Sequence, residues 1–593
     1  MKRAFLVLCV FFVCAAAALA QHSDSVSLRE AVGARSYPAA PRLAQQVSVT
    51  PAITLDSIHR VMPERVLQMQ QRNADGILPM QNGIGRPLAD PIMVQINGAA
   101  AAKSGIVPFG RGVMVATSRG VAWSGSVQVT SAQRLRLHLS NVKLSADAVL
   151  WVYGNGEAIA FSRELLDPNG GLWTPSTNGE TIHLEIEIAS GAQASFNIDS
   201  ALELIDGPET TRSLKPSDTP SCLVDVTCVT GSPLPISQVE RAIAHLEFVD
   251  SGSSFVCTGG LVNDNPSSSG NPAFLLTANH CISTQTTASS LQAFWDYRYS
   301  DCSSTTIPPL SSLQVSNGST LLTTASKDSG GPDVTLLRLN GIPANRVLLG
   351  WTANTNAVAP GTTLYRVSHP APEGFGPQPQ EYSSTSVVNP NGTCTNLPTS
   401  RYLYSSNLVG GTYGGSSGSP VMIASSQVVG QLYGGCAPVG HDPASGCDTA
   451  VMNVDGAFST SYPLLKQFID SGNPVQPSVC TPSSTTMCLN NNRFAVSATW
   501  RTSGGNGNGT AVRLTDDTGY FWFFGSSNVE AVIKVLNACG LNSKYWVFAG
   551  GLTNVNVVLT IVDTKTGTTK TYTNPIDTAF QPIQDTSAFA TCP

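Results

Sequence analysis

Twelve of the 14 cysteines lie beyond residue 220, and none falls between residues 21 and 220. That split constrains the fold more than any other feature. The first third must hold together by packing alone, whereas the remainder can be cross-linked where the environment is oxidising. The other two cysteines, Cys9 and Cys14, sit in "MKRAFLVLCVFFVCAAAALAQ". Lys2 and Arg3 lead into an apolar run that ends at the small-x-small Ala18-Leu19-Ala20. This reads as a secretory signal peptide over 1–20 rather than a retained anchor, and implies a secreted, extracellular product. No later segment strings together about 18 apolar residues, so no stable membrane insertion is expected.

The 593 residues suffice for roughly three or four domains. Charged residues make up only 12% of the chain, against about 25% in an ordinary soluble protein, and Ser, Thr, Asn and Gly fill the gap. The balance suits turn-rich, all-β extracellular domains. Net charge is −6 with no basic block, which argues against nucleic acid as a partner.

A helical patch, "DSIHRVMPERVLQMQQRN", precedes alternating runs such as "RLRLHLSNV", "AVLWVYG" and "TIHLEIEI". Period-two alternation broken by Gly, Asn and Ser predicts an antiparallel sandwich over about 106–205. The polar, proline-bearing joint 206–221 carries Arg212 and Lys215 and suits proteolytic nicking. A cysteine-bearing unit then ends in a helix at "YPLLKQFID", and "SGNPVQPSV" links it to the last unit. There "FAVSATW", "YFWFF", "YWVFAGG" and "VNVVLTIVD" predict strands, and "NVEAVIKVLNACG" predicts a helix stopped by Gly540. Its aromatics Tyr520, Trp522, Phe523, Tyr545 and Trp546 read as core at strand period, with a binding face as the alternative. Cys480, Cys488, Cys539 and Cys592 should form two disulfides of open pairing. The expected organisation is signal peptide 1–20, propeptide 21–215 with a β-sandwich-like part, a third unit over 216–472, and a β-rich C-terminal domain over 480–593.

Chemistry concentrates in the third unit. Thr277-Ala278-Asn279-His280-Cys281 follows the apolar "AFLL"; Asp333 opens "DVTLLRL" 53 residues after His280; Ser417 lies 84 residues further on, in "GGSSGSP". A serine hydroxyl needs a base within hydrogen-bond reach to attack at neutral pH. The order His, Asp, Ser in these contexts resembles the trypsin/chymotrypsin-like serine proteases, with T-A-x-H-C, D-[IVF]-x-L-[LI]-x-L and G-x-S-G-[GS]-P. The resemblance implies a double β-barrel, His280 as base, Asp333 orienting it, Ser417 as nucleophile, and the N–H groups of Gly415 and Ser417 as oxyanion hole. Each has a plainer alternative: a structural histidine among His245, His280, His369 and His441; Asp328 in place of Asp333; a Gly/Ser linker in place of the nucleophile. Ser416 also centres a G-x-S-x-G elbow, but that motif needs a following helix, and "PVMIASSQVVGQLYGG" reads as a hairpin.

The stretches "SCLVDVTC", "ERAIAHLEF", "CTGGLVN", "FLLTANHC", "DYRYSDC", "DVTLLRLN", "GGSSGSPV" and "VVGQLYGG" resemble bacterial lysyl endopeptidases over roughly 222–470. By that resemblance Cys257 pairs with Cys281 and Cys228 with Cys302, while Cys222 reaches Cys436 or Cys447 and leaves the other for Cys394. Tyr433, Gly434 and Gly435 would line the substrate pocket and pair with an extended peptide. The family neutralises a substrate lysine with an aspartate in a D-x-Y-G stretch, which here reads Asn453-Val454-Asp455-Gly456. The pocket base six residues before the nucleophile is Gly411. Neither Asn453 nor Gly411 supplies a carboxylate, and Asp455 would do so only by turning inward. His441-Asp442 beside Cys436 and Cys447 suggests a metal less than it suggests disulfides. The expectation is thus a secreted, monomeric serine endopeptidase acting on protein or peptide substrates, with no metal or cofactor, inhibited in cis by its own propeptide. The alternative is an exported adhesin with an inactive protease-like domain.

Overall fold

The computed structural model describes residues 25–31, 43, 50–76, 78–98, 105–145, 148–154, 158–161, 166–205, 222–265, 272–372, 376–390, 394, 397–443, 445–470, 480, 482–565 and 569–592. The expected signal peptide, the joint at 206–221 and the linker at 471–479 lie outside the described residues.

The protein is mainly β. In the third unit, Ile243–Asp250, Ser253–Val262, Phe274–Ala278, Val334–Leu339 and Ser319–Ala325 pair in succession, and Gln314–Asn317 and Gln292–Trp295 lead back to Ile243–Asp250. The ring turns its corner at Gly318, whose φ of 70° suits glycine. Leu246, Phe248, Leu261, Leu275, Trp295 and Leu337 fill this first barrel. A second ring runs Thr363–Ser368, Glu381–Val388, Tyr402–Val409, Met452–Ala457, Gln427–Cys436 and Pro420–Met422, then back to Thr363–Ser368. Leu364, Val387, Leu403, Val421 and Val429 fill it.

A larger cluster joins the barrels, with Val262, Leu276, Val334, Trp351, Val367, Met422 and Phe458 among its members. Each such fully buried large apolar side chain is worth about 1.5–3 kcal/mol. This joint therefore holds the two barrels, and the loops between them, in one geometry. The expected helix forms as Phe458–Ile469, with Phe458 stacked 5.7 Å from Trp351.

The preceding region is the expected sandwich. One sheet contains Thr181–Ala189, Gly120–Thr130 and Val149–Tyr153; the other contains Arg134–Leu144, Gln193–Leu204 and Met80–Asn97. Leu135, Leu137, Leu139, Ile182, Leu184, Ile186, Trp123 and Phe196 pack between them. The helical patch forms Ile58–Val61 and Pro63–Ala74, with Ser57 capping the first and Pro63 opening the second.

The strand Met80–Asn97 escaped the sequence reading because Gly83, Gly85, Pro87 and Pro91 break its alternation. Most of it pairs with Gln193–Leu204, but its start pairs with the third unit, Ile84 opposite Ser253 and Met80 opposite Val256. One twelve-stranded sheet thus runs from the sandwich into the first barrel. Across this junction Arg134 meets Glu247 at 2.6 Å with both side chains buried, and Asn82 donates to the same carboxylate. Residues Ser25–Val26 and Arg29–Glu30 add short strands against Gly350–Thr352 and Val347–Leu348.

The last unit packs two five-stranded sheets face to face. The helix expected at "NVEAVIKVLNACG" is instead the strand Ala531–Ala538, followed by one short helix over Cys539–Asn542 that includes Gly540. Ala531, Ile533 and Val535 are buried while Val532 and Lys534 face outward. The same apolar residues fit both periods, and pairing on both sides, with Thr518–Trp522 and Lys544–Gly551, decides for the strand. Tyr545 and Phe523 join this core, whereas Tyr520, Trp522 and Trp546 are half-buried.

Candidate active site

The histidine comes off the end of Phe274–Ala278, and Asp333 immediately precedes its partner strand Val334–Leu339. Because Ala278 lies opposite Val334, the two motifs meet at one barrel edge. Asp333 has a φ of 56°, a conformation that Asp tolerates better than most residues. Its Oδ1 accepts the His280 backbone N–H at 3.0 Å, and its Oδ2 lies 2.7 Å from His280 Nδ1. With Nδ1 donating to a carboxylate, the free lone pair of a neutral imidazole falls on Nε2. That atom is buried and, among the described residues, has no hydrogen-bond partner. The Tyr433 ring stands edge-on to the imidazole at 5.8 Å. Burial, and after it the nearby Asp333 and Asp328 carboxylates, push the Tyr433 phenol up, while Lys327 pulls it back.

The competing residues are engaged in other contacts. His245 and His369 are fully buried and pack on each other at 5.5 Å; burial and His245 hold His369 well below its ordinary pKa. His441 is exposed and bonded to Asp448, and Asp328 is exposed and paired with Lys327.

In the turn 414–420, Gly415 and Gly418 take φ values of 91° and 79°. Gly414 O accepts from Ala371 N at 2.6 Å, and Ser416 O accepts from Ser419 N at 3.0 Å. A trans peptide points C=O and N–H in opposite directions. The N–H groups of Gly415 and Ser417 therefore face away from both anchors, and among the described residues neither has a backbone acceptor. Thr258 fixes the turn further, its hydroxyl donating to Gly415 O and its N–H to Ser417 O, both at 2.8 Å. The Ser416 hydroxyl is fully buried against Ser368, and the Ser419 hydroxyl accepts from Arg366. No helix follows Ser416; Pro420–Met422 and Gln427–Cys436 form a hairpin, so the esterase-type elbow has no support.

Arg366 was not legible as a site residue. Buried under the turn, it donates to Ser419 O and Oγ at 2.9 Å and to Asp455 Oδ1 at 2.6 Å. The only sequence signal was an arginine at an inward position of the strand "TLYRVS". Asp455 is thereby committed: burial raises its carboxyl, and the charge and hydrogen bond of Arg366 pull it back down. Gly411 has no room for a side chain, since a Cβ there would collide with the Gly446 carbonyl. Asn453 lies opposite Gly435 and exchanges hydrogen bonds with Thr412 and Asn407.

Two residues of the preceding region approach this site. Leu78 Cδ1 lies 3.4 Å from where a Gly434 Cβ would be, and a Cβ on Gly414 would collide with the Met80 side chain. Ser417 retains only 2% of its surface.

The disulfides are Cys257–Cys281, Cys228–Cys302, Cys222–Cys447, Cys394–Cys436, Cys480–Cys488 and Cys539–Cys592. Cys257, His280 and Cys281 cluster closely enough to suggest a metal, but the two sulfurs are bonded to each other and offer no thiolate. Cys436 and Cys447, on either side of His441 in the sequence, are likewise tied up in disulfides, with Cys394 and Cys222 respectively. Among the described residues no helix is long and apolar enough to cross a membrane.

Residues 217–449 match the family model of the lysyl endopeptidase C-terminal domain, and residues 114–198 match that of the lysyl endopeptidase N-terminal domain. A curated lysyl endopeptidase of Pseudomonas aeruginosa is 27% identical over 481 residues, spanning 77% of this chain and 98% of the relative. A solved structure named "Structure of GrC" is 16% identical with a TM-score of 0.29, over 39% of this chain and 95% of that one.

Proposed function

The chain is a lysyl endopeptidase-like protease, and from that premise we propose that it is a secreted serine endopeptidase made as a preproprotein. Ser417 attacks the scissile carbonyl and forms the acyl-enzyme. His280 Nε2 takes the hydroxyl proton and returns it to the leaving amine, and water then repeats the sequence to release the acid. Asp333 holds the imidazole in the required tautomer and stabilises the imidazolium. The N–H groups of Gly415 and Ser417 receive the oxyanion; one such donor is typically worth about 10²–10³ in rate.

The observation that carries this reading is the double attachment of His280 to Asp333, beside a turn in which the Ser416 and Ser419 hydroxyls are already engaged. The approach of Leu78 to Gly434 and of Met80 to Gly414 supports an inhibitory propeptide: one side chain of the preceding region lies against the strand expected to bind substrate and one against the oxyanion turn. Six disulfides are consistent with export.

The test is hydrolysis of an unfolded protein by the processed chain. Ser417→Ala and His280→Ala should each lower the rate by about 10⁴-fold or more, while Ser416→Ala keeps most of it. A folded, processed wild type that hydrolyses nothing would leave an exported binding protein as the better reading.

A further inference from the structure

The start of the chain lies along the seam between the two barrels. There Gly350–Thr352 pairs on one side with Gln427–Cys436 and on the other with residues 25–26, Ser25 opposite Thr352 and Val26 opposite Trp351. Arg29 and Glu30 continue opposite Leu348 and Val347, and Ala31 N donates to Arg346 O at 2.9 Å. Two side-chain amides grip the backbone between: Asn263 Nδ2 donates to Ser27 O at 2.9 Å and Gln427 Nε2 to Val26 O at 3.2 Å. Arg29 Nε donates to Asn263 Oδ1 at 2.6 Å, and its guanidinium lies 3.2 Å from Asp264, whose side chain is only 4% exposed. Glu30 pairs with Arg241. Val26 and Leu28 pack on the cluster that joins the barrels, and Ala31 packs on the first barrel.

The seam is shaped to admit a strand. A Cβ on Gly350 would lie 2.3 Å from Val26 O, so the absence of a side chain there lets the two backbones meet. The receiving wall is also fixed by bonds of its own: Asn263 N donates to Leu349 O at 2.9 Å, and Trp351 Nε1 donates to Asn263 O at 2.8 Å. The seam and the cleft are well separated. Gln427 and Gly434 lie toward opposite ends of the strand Gln427–Cys436, about 20 Å apart at a rise of roughly 3.3 Å per residue.

Resting on the preproprotein reading above, we infer that the seam is a peptide-binding site of the protease unit, distinct from the cleft, and that residues 25–31 are its ligand, a tether that holds the propeptide on the enzyme after the joint at 206–221 is cut. The ligand class is an extended Val-x-Leu-Arg-Glu segment, read here from Val26 to Glu30. Such a strand binds a sheet edge through its main chain, and side-chain contacts give the selectivity. Because the segment and the sandwich belong to one chain, the two attachments reinforce each other, and losing one commonly weakens the whole by about 10²-fold or more. Occupation of the seam alone leaves the cleft open to substrate.

The experiment uses the full-length chain with Ser417→Ala, so that no probe is cleaved. Leu28→Asp with Arg29→Glu vacates the seam, and a fluorescent synthetic peptide of residues 21–34 is titrated in and followed by anisotropy, with a thermal melt of each variant confirming its fold. The peptide should bind saturably, and roughly tenfold or more tighter than to the Ser417→Ala parent, whose own segment fills the seam. Adding Asp264→Asn should weaken binding by roughly tenfold, and adding Gly350→Val should abolish it. A folded, vacated chain that takes up no peptide, or binding that survives Gly350→Val, would overturn the site. For the tether, the Ser417→Ala chain is nicked at the joint by a trace of the active parent. Its cut propeptide should stay with the enzyme on gel filtration, and should leave about tenfold faster when Gly350→Val is added. Equal release would overturn the tether. A chain that is never cut would remove the tether together with the preproprotein reading and leave the seam site standing on the peptide titration.

Discussion

Replacing Arg366 by Met should cost this protein more than any surface change. Arg366 and Asp455 expose 1% and 0% of their side chains, so the pair is made without help from water. The substitution leaves the Asp455 carboxylate buried and unpaired, and Ser419 loses two donors. Breaking such a pair from one side costs about 3–5 kcal/mol. At about 2–4 °C per kcal/mol for a unit of this size, the protease unit should melt about 6–20 °C lower. The assay is a thermal scan at fixed rate in a Ser417→Ala background, which removes self-cleavage. The double replacement Arg366→Met with Asp455→Leu removes both charges and should recover most of the loss, because a buried pair is worth little against apolar residues of similar size. Processed Arg366→Met without the Ser417 change should also lose activity, since the nucleophile turn loses its anchor. A melting temperature that stays within about 2 °C of the parent, or a double variant as damaged as the sum of its parts, would refute the argument that this pair supports the turn.

Two further outcomes follow from the site. Asp333→Asn keeps the shape of the Asp but presents an amide to His280; kcat should fall by about 10⁴-fold with substrate binding little changed, measured by steady-state kinetics. Leu78→Asp together with Met80→Asp should loosen the cover over Gly434 and Gly414. The unprocessed chain should then hydrolyse a small fluorogenic peptide several-fold faster than its parent, with the processed enzyme unaffected; equal precursor rates would separate these contacts from inhibition.

What the sequence revealed about the site was what local context encodes. The residues around His280, Asp333 and Ser417 are contiguous motifs; His280 and Asp333 flank strands that an apolar run makes visible, and Ser417 lies in a Gly/Ser turn just before Pro420–Met422. The alternating strands of the sandwich and the helix Phe458–Ile469 were legible for the same reason. What stayed hidden depends on partners far along the chain. Met80–Asn97 has a broken pattern and is held as a strand by partners far along the chain, in Gln193–Leu204 and Ser253–Val262. Ala531–Ala538 has a pattern that fits two periods until its flanking strands are known. The pairing of Cys222 with Cys447 rather than Cys436 depends on which loop closes over Gly411, and no spacing reports it. Asp455 read as a possible pocket acid because nothing local announces that Arg366 lies beneath it.

The central claim, that Ser417 is an activated nucleophile, is tested most directly by reacting the folded, processed protein with a fluorophosphonate and mapping the adduct by peptide mass spectrometry. The account predicts one adduct per molecule, on Ser417, abolished by His280→Ala and preserved in Ser416→Ala. An adduct on Ser416 or Ser419, or a folded protein that takes up no label, would contradict it.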